Sequence, residues 1–124
     1  MRFALEFHDS EIRDVLATTA ALRVRFAAAC VRDPHGNRGW LTGVTLALAD
    51  ATLAGDPAHA LGRLSEGRLR QDGRDVVRPA LPGTLTGALE LTLRFANGTL
   101  LTAHGRSLAS TLSDDARFTE DLSC

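Results

Sequence analysis

Two groups of residues in this chain of 124 have the side-chain types of an active site. The first is the run His8-Asp9-Ser10. A hydrolase needs an imidazole to take the proton of a serine hydroxyl and a carboxylate to orient that imidazole. Neighbours on an extended chain point to opposite sides, so His8 and Ser10 share a face that Asp9 cannot join. The spacing favours a polar corner in which Asp9 or Ser10 bonds backbone amides. The second group is Glu90, His104 and Arg106, with Arg94 nearby, and it assembles only if the segments flanking Asn97-Gly98 pair. A carboxylate beside an imidazole can orient it for general acid–base work. On an exposed sheet face the same pair is an ordinary cross-strand charge contact, so it is read as a solvated or recognition patch. No catalytic residue is assigned, and an enzyme is the least supported class.

The remaining chemistry is thin. His8, His35, His59 and His104 are scattered, and neither Cys30 nor Cys124 has a partner at ligand spacing, so no metal site is expected. No glycine-rich phosphate loop stands between a strand and a helix, and no cofactor is expected. Nucleic-acid binding calls for a basic stripe with stacking aromatics. This chain has a net charge of −1, one tryptophan and no tyrosine, which argues against it. Two cysteines make no disulfide framework; Cys30, in an apolar run, reads as a small buried hydrophobe. No stretch approaches the ~20 apolar residues of a membrane helix. Glu6 and Asp9 interrupt the apolar run a signal peptide needs, so a cytoplasmic protein away from membranes is expected.

The element that would position Glu90 and His104 is a hairpin. Leu85, Leu89, Leu91, Leu93 and Phe95 alternate with Thr86, Ala88, Glu90, Thr92 and Arg94, the period of a half-buried strand. A three-residue loop, Ala96-Asn97-Gly98, with Gly98 left-handed, pairs Phe95 with Thr99 and Leu93 with Leu101. It also sets Glu90 opposite His104 and Ala88 opposite Arg106. A two-residue loop would exchange the faces and put His104 and Arg106 against the core leucines, so the bulged loop is preferred.

Other segments read as strands too. Phe3–Phe7 alternates, His8-Asp9-Ser10 interrupts, and 12–19 gives a weak second strand. In 21–31, Leu22, Val24, Phe26, Ala28 and Cys30 are expected to face inward, with Arg23 and Arg25 outward. A helix over 11–29 competes on alanine content, but the Leu22–Phe26 alternation and the Thr18-Thr19 pair favour strands. Asp33-Pro34-His35-Gly36 matches a type I turn. Val44, Leu46 and Leu48 share a face that ends at Asp50. Asp56-Pro57 can cap a short helical turn. Asp72-Gly73 marks a type I′ hairpin pairing Arg70 with Asp75 and Leu69 with Val76; Pro79 and Pro82 put it near a sheet edge. Ser113 before Asp114 and Asp115 looks like a helix N-cap, and Phe118 with Leu122 like an apolar i,i+4 pair. Together these predict a single all-β, mainly antiparallel domain, a sandwich or barrel of about seven strands, with a short C-terminal helix.

The residues Phe7, His8, Asp9, Ser10 and Ile12, and the later Asn-Gly hairpin, resemble a group of small bacterial β-rich domains. These open with F-H-D-(S/A)-x-(I/V/L) and include immunity proteins of polymorphic-toxin and contact-dependent inhibition systems. The resemblance implies a cytoplasmic, non-enzymatic protein that neutralises a cognate protein toxin by binding it, and it carries over no catalytic residue. Residues 1–14 and 114–124 hold eight carboxylates against three arginines. Because many toxins are basic nucleases, Glu6, Asp9, Glu11, Asp14, Asp114 and Asp115 form the first candidate docking surface. Arg23, Arg25 and the Asp33–Trp40 loop form the second, and Trp40 is a hot-spot residue type if exposed. Glu90, His104 and Arg106 form a third patch. All 14 basic residues are arginine, for which codon bias in a GC-rich genome is the ordinary explanation; the functional alternative is that arginine suits bidentate pairing with carboxylates. Two rivals stand beside this reading. One is a small-ligand barrel, with its many strand alanines and glycines leaving room for a cavity; the other is a homodimer or larger assembly joined at edge strands.

Overall fold

The computed structural model describes residues 2–121, and strands account for most of them. In chain order these are β1 Phe3–Ala17, β2 Ala21–Arg32, β3 Arg38–Leu41, β4 Val44–Ala49, β5 Thr52–Ala54, β6 Gly62–Gln71, β7 Arg74–Asp75, β8 Ala80–Leu81, β9 Gly83–Phe95, β10 Leu100–Leu112 and β11 Phe118–Glu120. A 3-10 turn, Pro57–His59, lies between β5 and β6 and is capped by the Asp56 carboxylate on the Ala58 amide. Every pairing is antiparallel. Six strands close into a barrel in the order β1–β2–β4–β10–β9–β6 and back to β1. The architecture is thus the barrel form of the expected all-β fold. β3 and β11 extend the sheet from β2, β8 from β1, while β5 and β7 lie against β10 and β6.

Even eight strands leave an interior only just wide enough for side chains, so six leave no channel. Leu22, Val24, Leu46, Leu48, Leu69, Leu91, Leu93 and Leu101 fill it and are essentially inaccessible. The hairpin β9–β10 has the bulged loop that its sequence favours. The Phe95 amide bonds the Thr99 carbonyl at 2.9 Å, Gly98 has φ +92°, and Leu93 pairs with Leu101 and Glu90 with His104. The expected pairing of Ala88 with Arg106 does not form. Thr86 pairs with Ser107 instead, because Gly87, at φ +126°, makes a bulge in β9. The β6–β7 hairpin also keeps its expected register, with Arg70 opposite Asp75 and left-handed Asp72 and Gly73 at its tip. Asp33 to Gly36 closes its turn at 2.9 Å, and Asp50, left-handed at φ 53°, ends β4.

Three expectations change. First, His8-Asp9-Ser10 does not end a strand; β1 runs through it. Asp9 adopts φ 69°, which inserts an extra residue, so Phe3, Leu5 and Phe7 face the core before it and Ser10 and Ile12 after it. His8 is exposed while Ser10 is fully buried, so the two do not share a face. Second, β2 bulges near Ala27, since Ile12 pairs with Phe26 but Glu11 with Ala28. Ala29 and Val31 therefore enter the main core in place of Ala28 and Cys30. Cys30 remains buried, but outside that cluster, with the Arg38 Nε donating to its sulfur at 3.1 Å. Third, the Ser113-Asp114-Asp115 cap opens no helix: the Ala116 amide closes a tight turn onto the Ser113 carbonyl. The chain then forms β11 against β3, with the Phe118 ring 5.3 Å from Phe3. Leu122 and Cys124 lie outside the described residues. Among the described residues no helix is long and apolar enough to cross a membrane.

Candidate partner-binding surface

Three adjacent barrel strands, β6, β9 and β10, present an outward wall whose side chains align in cross-strand rows. Glu66 lies beside Arg94, and Arg68 beside Thr92 and then Thr102. The row Arg70–Glu90–His104 ends at Thr52 of β5. Alternation dictates this: Leu64, Leu69, Leu91, Leu93 and Leu101 take the core side, so the polar residues between them take the other. Glu90 Oε2 and His104 Nε2 are 3.0 Å apart. Arg106, at the bulge, and Arg70 line a groove of about 380 Å³ with this pair, floored by Ala88 and Gly105 and flanked by Asp50 and Thr52. The Arg70 Nε is buried with no hydrogen-bond partner; its terminal nitrogen donates to the Gly73 carbonyl at 2.7 Å. The arginine–carboxylate pairs on this wall are loose: Arg94–Glu66 at 3.8 Å, Arg68–Asp75 and Arg70–Asp75 at 3.7 Å.

Chemically this is a carboxylate–imidazole pair flanked by guanidinium groups. It is open to water, with the Glu90 and His104 side chains 38% and 59% exposed. Glu90, His104 and Arg106 stand together here, as the hairpin pattern implies. Glu66, Arg68 and Arg70 join them as functional candidates, and their i, i+2, i+4 spacing marks one face of a strand.

The other predicted residues lie on β1, β2, β3 and the turn after β10. Glu6 bonds Arg32 at 2.7 Å and lies 3.8 Å from Arg78, while Asp9 lies 3.4 Å from Arg38 and 3.6 Å from Arg63. Asp14 accepts a two-point contact from Arg25, one arm at 2.7 Å. That hydrogen bond, more than the opposite charge, holds the Asp14 carboxyl below its usual range and raises the Arg25 guanidinium, while partial burial works against both shifts. Asp115 shares a groove with Arg13 and Arg25, and the Ser113 hydroxyl donates to it at 2.5 Å, lowering its carboxyl. Glu11, Arg23 and Asp114 are exposed, and Trp40 is half-buried on β3, opposite Cys30. The first two surfaces are therefore interleaved: Asp14 is bound to Arg25 rather than standing on a separate acidic face. Among the described residues no group of three or more His, Cys, Asp or Glu comes together to hold a metal ion.

Comparison of the chain with family models, with curated proteins and with solved structures finds no match. What the fold and the surface define is an antiparallel six-strand barrel with a charged outer wall.

Proposed function

We propose that this domain is a non-enzymatic, cytoplasmic immunity-type protein that binds and neutralises a cognate protein toxin, and that the wall of β6, β9 and β10 is its docking surface. The observation that carries the choice of surface is the contrast in charge pairing. Glu6 and Asp14 are held by arginines at hydrogen-bond distance, and a partner would have to break those contacts. On the wall Glu90 and His104 are in hydrogen-bond contact, but the arginine–carboxylate pairs stand at 3.7–3.8 Å, beyond hydrogen-bond distance, between side chains that are largely exposed. Exposed pairs of this kind contribute about 0–1 kcal/mol, so exchanging them for a partner's charges costs little. Rows of alternating sign also suit electrostatic steering and register. The sequence resemblance at Phe7–Ile12 supplies the class of partner.

The test is calorimetric titration against the toxin domain encoded beside this gene, at low and high salt, with wild type and an Arg68→Glu/Arg94→Glu variant. Nanomolar binding that weakens with salt, and weakens further in the variant, supports the reading. No binding to that toxin overturns the function. Unchanged binding by the variant overturns the surface and returns attention to Glu11, Asp114 and Asp115.

A further inference from the structure

The leucine packing of the barrel does not continue to the end where β9 begins and β10 finishes. Small residues stand there: Ala80, Gly83 and Ser110. The Ser110 hydroxyl is turned onto the carbonyls of Ala80 and Gly83, at 3.0 and 3.2 Å, rather than into open space. The result is a cavity of about 400 Å³ whose floor is the buried side chains of Leu46, Leu69 and Leu108. Val76 and Leu85, half-exposed, form its sides. Arg2 is the one charged residue lining it, and among the described residues it has no ion-pair partner.

The geometry points to a binding site for a small carboxylate amphiphile, its apolar chain on the leucine floor and its carboxylate on Arg2. Three features select that class. Apolar walls favour a hydrocarbon body, since each buried CH₂ contributes about 0.8 kcal/mol. One unpaired guanidinium at an apolar opening calls for one anionic group, and its planar fork fits a carboxylate. The volume lies near the lower end of the roughly 300–1,000 Å³ usual for small-molecule sites, which suits a medium-length chain. The site lies on different residues from the charged wall, so it stands or falls independently of toxin binding.

Sodium decanoate and decanol, below their aggregation limits, are the probes. Calorimetry on the wild type is expected to give saturable 1:1 binding of decanoate. Arg2→Gln should weaken decanoate roughly fivefold, the upper end for a partly exposed ion pair, and leave decanol unchanged. Leu85→Trp should fill the cavity and abolish both. Amide resonances of the wild type should shift at Val76, Leu85 and Leu108 and stay fixed at Glu90 and His104, a readout that does not depend on any variant folding. No saturable binding at millimolar decanoate would overturn the proposal. So would shifts centred elsewhere, or equal decanoate affinity in Arg2→Gln.

Discussion

Removal of the Ser10 hydroxyl tests what the His8-Asp9-Ser10 run is for. Ser10 is completely buried; its Oγ donates to the Glu6 carbonyl at 2.7 Å and accepts the Cys30 amide at 2.8 Å. It thereby ties β1 to β2 across the bulge that left-handed Asp9 creates, where regular pairing between Glu6 and Glu11 is interrupted. Ser10→Ala deletes both bonds and puts a methyl group where water cannot enter. Leaving buried backbone groups short of a partner costs about 1–3 kcal/mol each, and the carbonyl, with a second lone pair, lies at the low end. A total of about 2–3 kcal/mol is expected. A chain of this length loses roughly 3–6 °C of Tm per kcal/mol, so the melting point should fall by roughly 6–18 °C. His8→Ala is the control: its side chain is 70% exposed, its ring donates to the Ser65 carbonyl and it lies 3.5 Å from the Asp9 carboxylate, so a loss within about 0.5–1 kcal/mol is expected. Urea denaturation at neutral pH measures both. Ser10→Ala within about 0.5 kcal/mol of wild type, or His8→Ala equally damaging, would refute the structural assignment of the run.

Three further outcomes follow from local geometry. Gly67→Ala should destabilise by about 1–3 kcal/mol, because its Cβ would stand 2.4 Å from the Phe7 Cβ and overpack the β1–β6 seam; calorimetric melting would show it, and an unchanged Tm would refute it. In a Cys124→Ser background Cys30 should react with a disulfide reagent only as fast as the protein opens, since burial pushes its thiol up and outweighs the Arg38 hydrogen bond; stoichiometric labelling within seconds in native buffer would contradict this. The Asp14 carboxyl should titrate by NMR below its ordinary 3.8, and return towards it in Arg25→Gln. Because the folded value is the lower one, the pair's contribution is present above 3.8 and is lost as pH falls through the depressed value. Asp14→Asn should accordingly flatten the acid limb of the stability profile.

How much of this was legible in the sequence depends on the distance over which each feature is decided. Both hairpin registers follow from two or three turn residues and a run of alternating side chains, so Glu90–His104 and Arg70–Asp75 were readable. The bulges inside β1 and β2 were not. Asp9 carries a positive φ without being glycine, and Ala27 sits in a run of three alanines with no compositional mark, yet each reverses which side chains are buried beyond it. At the C-terminal end a sound local helix signal lost to tertiary packing. Gly39, whose absent side chain would meet the Phe118 ring at 2.5 Å, makes room for that ring over Phe3, and strand β11 follows. The wall suffered similarly: Arg70 joins Glu90 only through β6–β9, a pairing that no local turn announces.

The all-arginine cation set ties these observations together. Around the bent strand β1, Arg25, Arg32, Arg38 and Arg63 reach Asp14, Glu6 and Asp9, and these contacts brace a segment whose backbone pairing is interrupted. Those carboxylates look like an acidic terminus in the sequence, but their field is largely cancelled within a few ångströms, which leaves little to steer a basic partner at a distance. On the wall the in-register ladder from Glu66–Arg94 to Gln71–Leu89 already holds the strands, so Arg68, Arg94 and Glu66 are not needed for bracing and make only long, exposed ion pairs. Charges that the fold does not use are the ones a partner can take at low cost. That is why a charge reversal on β6 and β9 should alter binding more than stability, whereas reversal of Arg25 or Arg32 should do the opposite.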